Sequence, residues 1–316
     1  DQGRTSGLNA LAVARNTVDA DPPLAALTRS RPPAGAVAIG TLAGGSGGPE
    51  FRPVRQTPTH AWAAARRAVF VDAGIWTRAQ YFPQGSERDW LDTVTREVSA
   101  VRGGVGFCDV STLGKIELFG PGALQLIEHV YANDFASLPV GRARYGLMLR
   151  EDGVVLDDGT TSRLGDQHFV MSTSTANAAR VYQHLHAVHQ CDLPHLAVTI
   201  APVTDQWAQL ALAGPFSRAT LTALADRADL SAQAVPFMAA RSLTVMGGVP
   251  ARLFRVSFSG ELAYEIAVPR SQGARLADAA MEAGAGYGIA PYGTEAMGVM
   301  RIEKGHPAGP ELNGQT

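Results

Sequence analysis

The chain has 316 residues, and its 27 Lys and Arg against 29 Asp and Glu leave a formal net charge of −2. That balance, with no basic run, excludes a general nucleic-acid binder and a membrane-surface protein. A composition of 46% hydrophobic and 18% charged residues describes a soluble globular protein, long enough for two domains or for one with an appendage. Cys108 and Cys191 make no disulfide framework, no Cys-x-x-Cys offers a zinc or redox site, and no apolar run approaches a membrane span or a signal peptide. A reducing, cytoplasmic setting is the simplest expectation. The chain opens on Asp1-Gln2-Gly3-Arg4 without Met and reads as part of a longer protein.

Residues 1–56 differ from the rest. A short helix fits 8–14, but Asp21-Pro22-Pro23 and Arg31-Pro32-Pro33 interrupt the pattern. The glycine-rich run at 40–49 suggests a dinucleotide loop, yet it has no Gly-x-Gly-x-x-Gly register, and Pro49 and Pro53 stand where a helix should open. It reads as a flexible connector.

From Thr57 onward the signals are dense. Ser86-Glu87-Arg88-Asp89 resembles a capping box, and Trp90, Leu91, Val94, Val98 and Val101 make one apolar helix face. Strands are predicted at 106–111 and 115–119, and Pro121 opens a helix to about Asn133 with Leu124, Ile127 and Val130 on its buried side. Residues 142–150 and 154–156 form a hairpin across the turn Glu151-Asp152-Gly153 and deliver Asp157 and Asp158 at its end. A strand at 168–172, a helix at 176–190, a strand at 206–212 ending in Gly214-Pro215 and a helix at 216–224 follow. Three strands at 242–246, 250–257 and 262–268 precede helices at 272–283 and 293–304. Strands and helices intermix without strict alternation, so the class is α+β.

Successive strand residues point to opposite faces, so Asp157 and Asp158 cannot act as one dyad, and one of them should face the interior. Solvated carboxylates beside a glycine turn are the plain reading; a carboxylate that handles a proton or stabilises a cation is the functional one. In the 262–268 strand, Glu265 shares a face with Ala263 and Ala267, opposite Tyr264, Ile266 and Val268. A lone Glu between small residues leaves room for a ligand and can accept two parallel hydrogen bonds from a cyclic amidine edge, although an exposed sheet face accounts for it equally well. Of His184, His186 and His189 only the last two share a helix face, with no carboxylate at the next useful position, so no metal site is expected. Ser257 and Ser259 lack the setting of a nucleophile elbow, and Cys108 reads as packing in an apolar strand.

Several segments in order, VRGGVGFCDVSTLGKIELFGPGA, YANDFASLPVGRARYGLMLREDGVVLDDG, PFMAARS, FSGELAYEI and PYGTEAMGVMRIEKGHPAGPELNG, resemble the folate-binding domain of the glycine-cleavage T-protein superfamily. Within it the chain is most similar to the C-terminal half of the alpha subunits of heterotetrameric sarcosine oxidases. The resemblance covers roughly residues 51–316. It implies a folate-binding domain at 57–316, with mixed and antiparallel sheets flanked by helices around a central folate channel. Residues 1–56 would be the tail of a preceding nucleotide-binding region and a linker, and a C-terminal barrel-like domain would be missing beyond Thr316.

The resemblance also implies site roles. Asp158 would be the catalytic carboxylate near the reacting nitrogens of folate, with Asp157 as its outward neighbour. Glu265 would hold the pterin edge, and Tyr145, Thr173, Phe258 and Tyr264 would be cofactor-binding. Thr173 falls where T-proteins often carry an Asn, Phe258 where they carry a tyrosine, and Met297 where they carry an arginine. The implied reaction captures the imine from flavin-dependent sarcosine demethylation on tetrahydrofolate, giving 5,10-methylenetetrahydrofolate and glycine. Flavin is then expected in a partner subunit or at the interface, NAD in the missing N-terminal region, and beta, gamma and delta subunits as partners. Two other readings stand beside it: a free-standing aminomethyltransferase, against which Met297 speaks, and a non-catalytic folate-binding scaffold. The scaffold relatives carry Lys-Gly-Cys-Tyr where this chain has Lys304-Gly305-His306-Pro307.

Overall fold

A computed structural model of the chain describes residues 55–312, which belong to one compact unit. The helix expected at 8–14 and the connector at 40–49 lie outside the described residues. In chain order the strands are β1 (Arg55–Gln56), β2 (Val69–Ala73), β3 (Trp76–Tyr81), β4 (Gly106–Asp109), β5 (Gly114–Phe119), β6 (Arg142–Leu149), β7 (Val155–Gly165), β8 (His168–Thr173), β9 (Thr199–Pro202), β10 (Trp207–Ala213), β11 (Ala240–Val245), β12 (Val249–Phe254), β13 (Ala263–Pro269) and β14 (Ala290–Pro291). The helices are α1 (His60–Ala65), α2 (Trp90–Gly103), α3 (Ala123–Val130), α4 (Ala178–Cys191), α5 (Ser217–Leu224), α6 (Gly273–Ala283) and α7 (Thr294–Lys304).

Three sheets result, ordered β1-β3-β2, β11-β12-β13-β10-β4-β14 and β6-β7-β8-β5-β9. All pairings are antiparallel except β1 with β3 and β4 with β14, as the mixed and antiparallel expectation requires. No element was assigned to 57–85, where α1 and the β2–β3 hairpin form.

Each large sheet has one apolar face covered by helices. In the five-stranded sheet, Ile116, Leu118, Met148, Phe169 and Met171 pack against Leu126 and Ile127 of α3 and against Val181, Leu185 and Val188 of α4. In the six-stranded sheet, Leu210, Leu212, Leu253, Tyr264, Ile266 and Val268 pack against Leu221 and Leu224 of α5 and Leu276, Ala277 and Ala280 of α6. Alternation then turns the other set of side chains toward the space between the sheets. Lys115 and Glu117 come from β5, Ser172 from β8, Gln209 from β10, Arg252 from β12 and Glu265 from β13. Buried Glu117 ties the sheets together: it pairs with Arg252 of the opposite sheet at 2.7 Å and with His168 at 2.8 Å.

The start of α2 differs from expectation. The N-cap is Asp89, whose side chain accepts from the Leu91 and Asp92 amides at 2.9 and 3.0 Å, so Asp89 is itself the cap instead of closing a box with Ser86, while Glu87 accepts from Thr93 Oγ1 and Arg96. Trp90 and Leu91 are 53% and 54% exposed, so the buried face of the helix begins only at Thr93 and Val94. Farther along, fully buried Glu97 accepts from the amides of Phe82 (2.6 Å) and Gly293 (2.9 Å), fixing the end of β3 to the N-cap of α7.

Burial pushes the Glu97 carboxyl from 4.5 up to about 7, against the opposing pull of its two amide donors. A folded-state pKa above the unfolded one means that the stabilisation from Glu97 is fully present below about pH 4.5 and is lost as pH rises through about 7. At about 1.4 kcal/mol per pH unit the change is on the order of 3 kcal/mol. In urea titrations the wild type should therefore lose stability relative to Glu97→Gln between pH 4.5 and 7, and a pH-independent difference between the two would refute this.

Candidate functional site

The hairpin β6–β7 carries the two aspartates. Their directions depend on a bulge: Leu149 pairs with Val155, but Met148 pairs with Asp157, so Leu156 is an extra residue in β7. Leu156 and Asp157 are consequently both buried. Asp157 is thus not the outward neighbour expected. Its carboxylate faces the helix-covered side, accepting from the Ser174 amide (3.0 Å), Ser174 Oγ (2.6 Å) and Asn177 Nδ2 (3.0 Å). Asn177 is the N-cap residue of α4, so Asp157 anchors the β8–α4 turn. Burial raises its pKa, and these donors oppose the rise.

Asp158 points the other way. Together with Thr160 and Ser162 it makes the inward row of β7, and the last two line a cavity whose far wall includes Gln209, Arg252, Phe254 and Glu265. Its carboxylate accepts from the Tyr145 hydroxyl at 2.9 Å, a diagonal contact across the β6–β7 ladder in which Tyr145 pairs with Thr160. Next to it, Gly159 is required by the packing, since a Cβ there would stand 1.9 Å from the Ser172 carbonyl oxygen.

Glu265 occupies the opposing sheet on the face with Ala263 and Ala267, as the alternation predicts. Gln209 on the neighbouring strand donates to its carboxylate. Burial raises the Glu265 pKa, whereas Gln209 and the Lys115 ammonium pull it down. Lys115 is itself buried, with Nζ donating to the Leu113 and Ser111 carbonyls at 2.9 and 3.2 Å, and burial lowers its pKa to about 8.

The space divides in two with Glu265 as the shared wall. On the Lys115–Arg252 side it measures about 20 Å³, room for about one water. On the other side about 90 Å³ is enclosed by Arg78, Ala211, Val256, Phe258, Ala263, Tyr292 and Met297, among others. A fused-ring ligand enters this side only if a side chain moves, and unbranched Met297 can do so without a backbone change. Phe258 carries the lining outward: its ring meets His306 at 5.1 Å, and His306 meets Tyr145 at 5.7 Å. A continuous wall therefore runs from Glu265 through Phe258, His306 and Tyr145 to Asp158. Burial and Lys304 lower the His306 pKa, and Asp158 opposes them.

Two residues assigned to cofactor binding are corrected by strand parity. Tyr264 lies in the core under α5 and α6, fully buried, on the opposite face of β13 from Glu265. Thr173 is 2% exposed and wedged against Gly114 and Ala178, its hydroxyl donating to the Ser174 carbonyl at 3.1 Å; Ser172 takes the cavity side. Arg78, Lys115, Gln209 and His306 belong to the lining but were not assigned to it from sequence. For Lys115 and Gln209 the strand alternation held the signal, while Arg78 and His306 arrive from β3 and from beyond α7, which only the fold brings here. No His/Cys/Asp/Glu cluster able to hold a metal occurs among the described residues, and His189 is held by the Leu196 carbonyl at 2.9 Å. Ser257 Oγ donates to the Glu261 carbonyl within its own turn, and burial pushes the Cys108 thiol up to about 12, so neither is an activated nucleophile. No described helix is long and apolar enough to cross a membrane.

Comparison with known proteins gives a consistent picture. The model of the GCVT N-terminal domain family matches residues 59–316. The sarcosine oxidase alpha subunit of Rhizobium meliloti (strain 1021) is 49% identical over 99% of the chain, which spans 32% of that relative's length. An aminomethyltransferase of Streptomyces avermitilis is 34% identical over 80% of the chain and 63% of its own length. Among solved structures, the glycine cleavage system aminomethyltransferase T from Bartonella henselae superposes with a TM-score of 0.68 at 23% identity, covering 80% of this chain and 63% of its own.

The two aspartates should separate cleanly in a stability measurement. Asp157→Ala strands the Ser174 amide and the Asn177 side chain and should cost about 2–4 kcal/mol in urea unfolding. Asp158→Asn, half-buried with one hydroxyl partner, should stay within about 1 kcal/mol of wild type. Equal losses would overturn the assignment of Asp157 to structure and Asp158 to the cavity.

Proposed function

The chain belongs to the family of the GCVT N-terminal domain, and from that premise we propose that its inter-sheet cavity binds tetrahydrofolate, as the folate-binding part of a sarcosine oxidase alpha subunit. In this role it captures the imine carbon left by flavin-dependent demethylation of sarcosine, yielding 5,10-methylenetetrahydrofolate and glycine. The observation that carries the reading is that Glu265 and the Asp158 row of β7 face one polar space from opposite sheets, joined by Phe258, His306 and Tyr145. The 49% identity with a sarcosine oxidase alpha subunit favours it over the other family members.

Tetrahydrofolate supplies the nucleophilic nitrogens that take up the methylene carbon. Glu265, between the small residues Ala263 and Ala267, accepts the two parallel N–H bonds of an amino-pyrimidinone edge, which exchange for its bond from Gln209. Asp158 stabilises the cationic imine and takes the proton that the attacking amine gives up. The Tyr145 hydroxyl holds the Asp158 carboxylate in place for this. Phe258 and Met297 present apolar surface to the cavity, which suits a small imine arriving from a flavin site better than a carrier-bound aminomethyl group. The beta, gamma and delta subunits would be the partners, with flavin in a partner subunit or at the interface, NAD bound by the region preceding this chain, and a cytoplasmic location.

Titration of tetrahydrofolate should show Glu265→Gln weakened by about 10- to 100-fold, the value of a bidentate charge-assisted pair. Affinity equal to wild type sinks the proposal. In the assembled enzyme, Asp158→Asn should bind folate normally and shift the carbon from 5,10-methylenetetrahydrofolate to free formaldehyde; an unchanged product ratio would remove Asp158 from the chemistry.

A further inference from the structure

Arg78, on β3, comes from the small three-stranded sheet and reaches the wall of the cavity that Glu265 and Phe258 line. It is only 8% exposed. Its Nη2 donates to the Asp109 carbonyl at 3.1 Å, but the buried Nε has no partner among the described residues. The adjacent Cys108 thiol, hydrogen-bonded to the guanidinium, is neutral and offers no counter-charge. An under-bonded guanidinium at this depth is costly, because water no longer solvates its donors. An acceptor in the cavity would remove that cost.

The surrounding charges define what kind of acceptor fits. Lys115 is a second buried cation, and its electrostatic neighbours include Glu265, Asp109 and Arg78. The Asp109 carboxylate is engaged by the Thr59 hydroxyl and the Ser111 amide, and Glu265 by Gln209. Two cations and two carboxylates already balance, so a further anion would enter uncompensated, whereas a neutral carbonyl oxygen would not. Glu265 offers acceptors and Arg78 offers donors to one enclosed space. That pairing complements a heterocycle with N–H donors along one edge and a carbonyl beside them.

We propose that Arg78 donates to the ring carbonyl of the bound pterin and makes the site specific for a 4-oxo ring over its 4-amino counterpart. The proposal rests on the tetrahydrofolate reading above and adds to it a residue and a selectivity. Replacing the oxo oxygen by an amino group sets donor against donor, and a buried polar site built for one hydrogen-bond pattern rejects the opposite one strongly. Arg78 is a binding residue in this account and takes no part in proton transfer.

The test is calorimetric titration of the full-length polypeptide with tetrahydrofolate and with 4-amino-4-deoxytetrahydrofolate, using wild type, Arg78→Met and Arg78→Lys. The wild type should prefer the 4-oxo ligand by at least about tenfold, and Arg78→Met should lower that ratio severalfold, mainly through weaker 4-oxo binding, leaving the part set by Glu265, which faces a ring nitrogen without hydrogen in the 4-amino ligand. Thermal unfolding monitors folding; should Arg78→Met not fold, Arg78→Lys decides, since it keeps the charge but loses the planar fork and should reduce the ratio severalfold. An undiminished ratio in a folded variant overturns the role of Arg78 while leaving the tetrahydrofolate reading intact. Failure of the wild type to bind tetrahydrofolate overturns both.

Discussion

Everything in this fold turns on a polar layer held between two sheets. Each sheet spends its apolar face on a pair of helices, which leaves the opposite faces to meet each other with charged and hydroxyl side chains. Such a layer persists only if its charges are paired. The Glu117 carboxylate, reached by Arg252 from the other sheet and by His168 from its own, meets that condition at the β5–β12 crossing. Having both partners, it can hold the sheets in register without drying out the space beside it. The cavity is the part of the layer where pairing is incomplete: among the described residues Glu265 has one amide donor, and Arg78 Nε has no partner. Structural and binding functions thus occupy neighbouring positions on the same strands.

The two aspartates of β7 show how narrow that division is. Adjacent in sequence and identical in chemistry, they are separated by a strand's thickness. A single extra residue at Leu156 sets which of them faces α4 and which faces the cavity. Asp157, with three donors, is consumed by the turn into α4. Asp158, with the Tyr145 hydroxyl as its partner among the described residues, keeps acceptor capacity for a ligand. Carboxylates with few internal partners in an enclosed space are the ones available for chemistry.

The cavity also gathers residues from all three sheets. Glu265 and Gln209 come from the six-stranded sheet, Lys115 and the β7 row from the five-stranded one, and Arg78 from the three-stranded one. Glu97 makes the last of these precise, because its two amide bonds fix the end of β3 against the start of α7. The α7 helix in turn leads to His306, which closes the wall between Phe258 and Tyr145. Elements far from the cavity therefore decide its shape through a few buried hydrogen bonds.

Much of this was legible in the sequence. Period-two alternation in 262–268 sufficed to turn Glu265 away from Tyr264, Ile266 and Val268, because a strand's parity is local and one face is plainly apolar. The hairpin read at 142–156, the helices read at 121–133 and 272–283 and the α+β class followed from equally local signals. Tyr264 and Thr173, expected at the cofactor from their places in the motifs, lie on the core side of their strands, while Glu265 and Ser172 take the cavity side. Other features had no local signal. A bulge is a property of the pairing between two strands, so the direction of Asp157 was decided only when β7 met β6. Asp89 displaced Ser86 as the cap because its side chain reaches the Leu91 and Asp92 amides. Arg78 and His306 reached the cavity by long-range packing, Arg78 against Glu265 and Phe258 and His306 against Phe258 and Tyr145, a relation between distant segments that no short window of sequence contains. The sequence by itself determined which residue faces which side of each regular strand. The tertiary structure decided which of those sides became a core and which a cavity, because burial is set by what packs opposite.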